Sequence, residues 1–470
     1  MGAIDPTERE LLLRTADRAA DFLETLGERP IREAATVEEL REALGGPLPD
    51  GPTEPGEVVG ALADAAEPGV VGIPSGRYFG FVIGGGLPAA VAADWLTTIW
   101  DQNAGLYVAG PSAAVVEEIA GVWLADLLGL PDGVAVAFVT GCQMAHVTAL
   151  LAARHHVLAR AGWDVNADGL QGAPRLRIVA GEERHTTLDR ALRFIGVGGS
   201  QIQLADADGE GRMDPDALRR VLRDGEGPTI VCAQAGNVNT GSFDPLEEIA
   251  DAAHKAGAWL HVDGAFGMWA HASPRLRHLV AGVDRADSWA TDAHKWLNVP
   301  YDSGLAFCAH PASHRAAIGV RAAYLIHADD GGPRDQMDWT PEFSRRARGF
   351  AVYAALRQLG RTGVAELVER CCDNARLFAE LLEGREGARI LNDVVLNQVL
   401  VRFGDDDAVT REVVRRVQED GTCWLSGTTW QGVGAMRISV SNWRTTAEDV
   451  ERSVAAILRC ARAAAPERVP

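Results

Sequence analysis

The chain reads as an α/β protein built on a large, mainly parallel sheet, and three observations predict this. Between about 113 and 310, long helical stretches alternate with short β-rich runs, the order in which crossover helices join parallel strands. An apolar share of 47% against 23% charged residues over 470 residues is enough to bury one large core and a smaller satellite. Beyond about 350 the alternation resumes with shorter strands, which reads as a smaller C-terminal α/β domain.

The elements follow in chain order. Residues 7 to 27 set Leu11, Leu12, Ala16, Ala19, Phe22 and Leu23 on one helical face with charges largely opposite, an amphipathic N-terminal arm. Pro47, Pro49, Pro52 and Pro55, with nearby glycines, mark an irregular connection. The β-rich runs of the large domain are 134–139, 176–179, 201–204, 229–232, 259–262 and 288–291. Helices near 344–360 and 363–384 come next, and then strands at 394–403, 422–425 and 437–440 alternate with helices at 408–419 and 446–463. The resulting division is an arm over 1–75, a large domain over 76–350 and a small domain over 351–470. Ligands of parallel sheets lie at the carboxyl ends of strands, so the residues just past each run are the ones to inspect.

Charge and composition exclude other classes. A formal charge of −20 repels nucleic-acid phosphates and anionic lipid head groups. The most hydrophobic stretch, residues 82 to 100, is broken by three consecutive glycines, Pro88 and Asp94, so no membrane span is expected. The N-terminus puts acidic residues where a signal peptide needs positive charge, and a cytoplasmic location is expected. Seven scattered cysteines show neither CxxC pairs nor the Cys/His spacing of a zinc site, so reduced thiols and no metal are expected.

Two residues past strand ends carry the chemical signal. Lys295, in DSWATDAHKWL (287–297), follows a β-rich run and precedes Trp296 and Leu297. Such a lysine is either a solvated surface group or an amine in a partly apolar site, where its pKa falls and it can form a Schiff base. Asp263 closes the apolar run Trp259, Leu260, His261, Val262. A carboxylate there is either a cap or structural ion pair, or the partner of a protonated ring nitrogen.

With those two in place, the sequence resembles the pyridoxal-phosphate-dependent group II amino-acid decarboxylases, which include the aromatic amino-acid and glutamate decarboxylases. The matching stretches are RYFGFV (77–82), WDQNAGLYVAGPSAAVVEE (100–118), FVTGCQMAHVTALLAAR (138–154), ERHTTLDRA (183–191), GNVNTGSFDPL (236–246), HVDGAFG (261–267), DSWATDAHKWL (287–297) and RRARGF (345–350). They recur in order across residues 60 to 460.

The resemblance implies the aminotransferase fold type I, with a seven-stranded sheet covered on both faces, and a homodimer with its active site near the interface. It implies pyridoxal 5'-phosphate as cofactor and decarboxylation of an L-amino acid to the amine and CO2 through an external aldimine. Lys295 is implied as the Schiff-base lysine, Asp263 as partner of the ring nitrogen, and His185 and Ala265 as the groups on the two ring faces. Gly141, Cys142 and Gln143 at a helix start, with Asp292 and His294, are implied at the phosphate site. Asn237 is a secondary cofactor contact. Cys142 otherwise reads as a small helix-start residue. Phe79, Phe81, Trp100 and Asn103 are candidates for substrate recognition or plain core, and as a set they favour an apolar substrate over an acidic one. Arg437 reads either as the substrate-carboxylate partner or as a structural ion pair.

One departure bears on the outcome. Aromatic amino-acid decarboxylases use a tyrosine on a mobile loop after the lysine motif, and Gln336 or Met337 falls where it is expected, with Tyr324 at the loop's start and Gly331 and Gly332 suiting a lid. Water or His327 then protonates Cα, or the reaction takes another course. The alternatives on the same scaffold are a decarboxylation-coupled oxidase, an aminotransferase and a non-catalytic cofactor-binding protein.

Overall fold

The computed structural model describes residues 6–320 and 332–464. An N-terminal section carries α1 (Pro6–Glu24), α2 (Val37–Leu44), α3 (Pro55–Ala66), α4 (Pro88–Trp100) and α5 (Pro111–Leu127). Then come β1 (Ala135–Val139), α6 (Cys142–Arg160), α7 (Val165–Asp168), β2 (Arg177–Gly181), α8 (Thr186–Phe194), β3 (Ile202–Ala205), α9 (Pro215–Arg223), β4 (Thr229–Gln234), α10 (Leu246–Lys255), β5 (Trp259–Asp263), β6 (Ser288–Asp292), β7 (Gly304–Cys308) and α11 (Pro311–Ile318). The C-terminal part holds α12 (Gly349–Leu382), β8 (Ala388–Ile390), β9 (Gln398–Phe403), α13 (Asp407–Asp420), β10 (Ser426–Trp430), β11 (Val433–Ser439) and α14 (Ala447–Ala464).

The large sheet has seven strands in the order β1-β7-β6-β5-β4-β2-β3. All pairings are parallel except those of β7, which runs antiparallel to both β1 and β6. Strands β1, β4, β5, β6 and β7 are buried at every residue, as a sheet covered on both faces requires. Because every strand but β7 points one way, the chain past β1, β2, β4, β5 and β6 emerges at a single edge. The second sheet is antiparallel throughout, in the order β10-β11-β9-β8; α12 and α13 pack against it, and α14 packs against those two helices.

The six expected strands of the large sheet lie within about two residues of their predicted positions. Strand β7 was not expected, and the strand expected at 422–425 is found later, at Ser426–Trp430. The two helices expected at 344–360 and 363–384 form one element broken at Gly360, whose φ of 60° lies outside the helical region. Among the described residues, no helix is long and apolar enough to cross a membrane.

Two glycines let backbone segments meet beside the site. A Cβ on Gly304, at the start of β7, would lie 2.3 Å from the Gly141 Cα in the turn after β1. A Cβ on Gly84 would lie 2.0 Å from the Lys295 carbonyl oxygen, so residues 79–85 run directly against the lysine segment. The RRARGF stretch serves the scaffold: buried Arg345 pairs with buried Glu117 at 2.8 Å and donates to the Phe138 carbonyl at 2.6 Å. Burial pushes the Glu117 carboxyl up, and Arg345 answers it.

Candidate active site

The carboxyl edge of the sheet gathers the polar residues that follow its strands. Lys295 lies three residues beyond β6, and its Nζ is 3.0 Å from Asp292 Oδ2. The other oxygen of Asp292 accepts the Cys142 backbone N–H at 2.5 Å and lies 3.3 Å from His294 Nε2. One buried carboxylate therefore ties the lysine segment to the start of α6. The expectation that the Lys295 pKa falls is corrected by this contact. Burial is the largest single influence and lowers it, but the groups beside the amine, Asp292 first, together outweigh burial and the net direction is upward, so the amine is held as an ammonium.

Asp263 ends β5 and is buried. Its Oδ1 accepts the Ala265 backbone N–H at 3.2 Å, and its Oδ2 lies 3.4 Å from His146 Nε2. Burial alone raises its pKa, but His146, which hydrogen-bonds to it, together with His185 and Lys295 nearby, overcomes that and holds it well below the usual carboxylate range. An ionised acid at this position is one that can face a cationic nitrogen. Among the described residues, Cys142, His146 and Asp263 also bring ligand-type atoms within 4.8 Å of one another. The hydrogen bonds at Asp263 and His146 account for that closeness without an ion.

His185 precedes α8 as its N-cap, accepting the Thr187 N–H at 3.3 Å, with Nδ1 also 2.7 Å from Thr187 Oγ1. Capping fixes the ring at the strand edge. Burial, against the pull of Asp263, lowers its pKa, and Lys295, His146 and Arg437 add to the lowering, so the imidazole is neutral near pH 7. Ala265 is half-buried, and its carbonyl accepts the Asp292 N–H at 3.0 Å.

The start of α6, after Gly141, faces His294, whose Cε1 would be 3.1 Å from a Cβ on Gly141. Both amide atoms of Gln143 and the Ser303 hydroxyl are buried with no hydrogen-bond partner in the protein. Ser303 donates its backbone N–H to His294 Nδ1 at 3.1 Å, and the His294 ring lies tilted against Tyr301 with centroids 4.3 Å apart. Cys142 differs from the sequence expectation, because its N–H is occupied by Asp292 and its thiol is pushed up by burial.

Several expected contacts are not brought to this cluster. Phe79 is fully buried, edge-on to Phe378 at 4.9 Å, and is core. Asn237 donates to the Glu183 carbonyl and Gln234 Oε1, and accepts the Asn239 and Thr240 N–H groups. With its amide occupied in this way, it shapes the loop after β4 and offers nothing to a ligand. Asn103 accepts the Gly105 and Arg345 N–H groups and holds its own loop. Trp100, half-exposed at the end of α4, packs edge-on against Phe350 at 5.0 Å. Gln336 and Met337 are buried in a tight turn, with Gln336 donating to the Ala114 carbonyl and the Met337 N–H to the Gly105 carbonyl. They belong to the packed body and not to an exposed loop; Tyr324, His327 and Gly331 lie outside the described residues.

Arg437, on β11, is buried and near enough to His185 to act on it. Among the described residues its one hydrogen bond is a long one, 3.4 Å to Asn239 Oδ1, its Nε has no acceptor, and it makes no structural ion pair.

The sequence reading named Phe81 but missed its aromatic partners at the mouth, Tyr78 and Trp424. Tyr78 stacks on Trp424 at 5.2 Å, with Phe81 tilted against the same indole at 5.3 Å. Burial, and secondarily Tyr301, pushes the Tyr78 phenol up to about 12. The reading also passed over a plain count: the chain has two lysines, Lys255 and Lys295, and Lys255 is exposed at the end of α10.

Comparison with known proteins agrees with this arrangement. Residues 38–403 match the family described as the pyridoxal-dependent decarboxylase conserved domain. An aromatic-L-amino-acid decarboxylase from Bacillus atrophaeus is 26% identical over 94% of this chain and 93% of its own. The acidic amino acid decarboxylase GADL1 of Mus musculus is 30% identical over 67% of this chain and 58% of its own. The crystal structure of Oryza sativa TDC with PLP and tryptamine superposes with a TM-score of 0.91 at 23% identity, covering 98% of this chain and 99% of that one.

The residues present fit pyridoxal 5'-phosphate. Orphaned polar atoms of Gln143 and Ser303 at a helix N-terminus suit its phosphate, ionised Asp263 its ring nitrogen, and Lys295 its aldehyde. The chain belongs to the pyridoxal-dependent decarboxylase family and is a pyridoxal-phosphate-dependent amino-acid carboxy-lyase.

Proposed function

We propose that the chain decarboxylates an L-amino acid with an apolar or aromatic side chain, releasing CO2 and the amine, and that it works as a homodimer. The observation that carries the substrate class is the aromatic wall of Tyr78, Phe81 and Trp424, on a segment that runs against the backbone of Lys295. Such a wall rewards burial of apolar area and offers no cation to an acidic side chain.

Each residue has a part. Lys295, its charge balanced by Asp292, would hold the cofactor aldehyde. Asp263 would face the ring nitrogen. Neutral His185 would lie against the ring and support the substrate carboxylate, which Arg437 would anchor through a guanidinium whose Nε has no acceptor. Bound there, pyridoxal 5'-phosphate supplies a sink for the electron pair left at Cα.

The dimer is supported by an exposed apolar band. Trp95, Leu96, Ile99 and Trp100 on α4 and Val115, Ile119 and Val122 on α5 are all exposed. A band of that size on a folded surface is the signature of an interface. Seven buried, unpaired cysteines support a reducing compartment such as the cytoplasm.

The test incubates the loaded protein with each proteinogenic L-amino acid and records CO2, oxygen uptake and product mass. Equal CO2 and amine from aromatic or large apolar substrates, without oxygen uptake, is the expected result. Aldehyde with oxygen uptake would establish an oxidase, a keto acid an aminotransferase, and preference for glutamate or aspartate would overturn the substrate class. Variant His327→Gln, read by the ratio of amine to aldehyde, tests His327 against water as the source of the Cα proton.

A further inference from the structure

A buried line of hydrogen bonds runs away from the active site behind Asp263. His146, on α6, is fully buried, with Nε2 3.4 Å from Asp263 Oδ2 and 3.5 Å from Cys142 Sγ. Its Nδ1 lies 2.9 Å from Nε2 of His261 on β5. Nδ1 of His261 lies 2.9 Å from Oγ of Ser288, its direct register partner on β6. The Trp259 indole N–H donates to the same Ser288 oxygen at 2.9 Å. His261, Ser288 and Trp259 are buried as deeply as His146.

The two ends set the direction of this line. An indole N–H can only donate, and an ionised carboxylate can only accept. Ser288 takes the Trp259 proton on a lone pair and has one hydroxyl proton to give, which goes to His261 Nδ1. The proton of His261 then sits on Nε2, aimed at His146 Nδ1, and the proton of His146 sits on Nε2, aimed at Asp263. In this arrangement both imidazoles are neutral and each donor in the line meets an acceptor. The reverse arrangement needs a second proton on His146 and leaves the Ser288 hydroxyl without an acceptor in the line, a costly state for a buried group.

We propose that His146, His261, Ser288 and Trp259 form a one-way relay that positions Asp263, holding its carboxylate ionised and fixed in orientation toward the ring nitrogen of pyridoxal phosphate. The inference rests on the assignment of Asp263 to that nitrogen. His146 and His261 touch neither cofactor nor substrate and act through Asp263. Burial holds the His261 imidazole down to about 3, which agrees with its neutral place in the relay.

The first readout uses the protein without cofactor. Imidazole 15N shifts, measured from about pH 6 to 8, are expected to show His146 and His261 both carrying their single proton on Nε2. A doubly protonated His146, or one protonated only on Nδ1, overturns the relay. Trp259→Phe removes the donor-only end but leaves the carboxylate to set the direction, and is expected to keep both protons on Nε2; a proton moved to Nδ1 at either histidine there overturns the directional argument.

The second readout uses the loaded protein. His146→Leu is expected to weaken cofactor affinity about ten-fold and to shift the 15N resonance of the bound ring nitrogen toward its unprotonated value. His146→Asn, which returns one N–H toward Asp263, is expected to recover most of both. Unchanged affinity and ring-nitrogen shift in His146→Leu overturn the relay alone. A wild-type protein that takes up no cofactor overturns the assignment of Asp263, and the relay's role with it.

Discussion

The floor and the mouth of the active site are built differently. At the floor, Asp263, Asp292 and Lys295 come from or just after the ends of two adjacent strands, and their charged groups are answered by neighbours at 3.0 to 3.4 Å. At the mouth, Phe81 is 54% exposed and the Nε of Arg437 has no acceptor. The floor is set before any ligand arrives, so the reaction type is fixed by the sheet. The mouth is made of loop residues and one strand from the smaller sheet, so specificity can change there without disturbing the chemistry.

This contrast breaks most sharply at Asp263. Asp263→Asn removes the anion opposite the ring nitrogen, and turnover is expected to fall about 100- to 1,000-fold with little change in KM, measured by steady-state CO2 release. At the mouth, Arg437→Met leaves cofactor uptake intact, and KM is expected to rise about 30-fold or more from loss of a buried charged partner. A parallel loss of cofactor would place Arg437 with the floor.

A pH titration sharpens the comparison further. The His261 pKa is lowered from 6.5 to about 3, so the folded chain refuses a proton that the unfolded chain accepts. The stability this contributes is present above about pH 6.5 and lost as pH falls toward about 3, at up to about 1.4 kcal/mol per pH unit. His261→Phe is expected to flatten the acid limb of a denaturant-midpoint titration relative to wild type. The smallest effect is expected at Phe81: Phe81→Ala should change KM a few-fold and in a side-chain-dependent way, with cofactor affinity unchanged, because a half-exposed ring loses only part of its apolar contact.

The same contrast explains what the sequence could tell. Five of the six expected strands of the large sheet stood out because burial on both faces demands unbroken apolar runs, β3 at the sheet edge being half-exposed, and the residues after the buried strands marked the floor. Strand β7 was missed because GLAFC follows a loop-like PYDS and has no crossover helix before it. β10 was misplaced because its alternation of buried and exposed residues is carried by Ser, Gly and Thr. Asn237 carried the right side chain for a ligand contact, and only the folded loop shows its amide fully used. The fall expected for Lys295 followed from burial alone, whereas the carboxylate three residues earlier decides its charge. His146 and His261 sit in an alanine-rich helix and an apolar strand, where a lone histidine reads as filler. Their meaning depends on the β5–β6 register that pairs His261 with Ser288.

The central claim is that Lys295 is the covalent anchor of the cofactor. Borohydride treatment of the loaded protein, followed by peptide mass mapping, tests it directly, because the chain has two lysines and Lys255 lies on the surface. The account predicts a reduced pyridoxyl-phosphate adduct on the peptide carrying Lys295, and none on that peptide in Lys295→Ala. An adduct on Lys255, or a cofactor that leaves the protein unmodified after reduction, would contradict it.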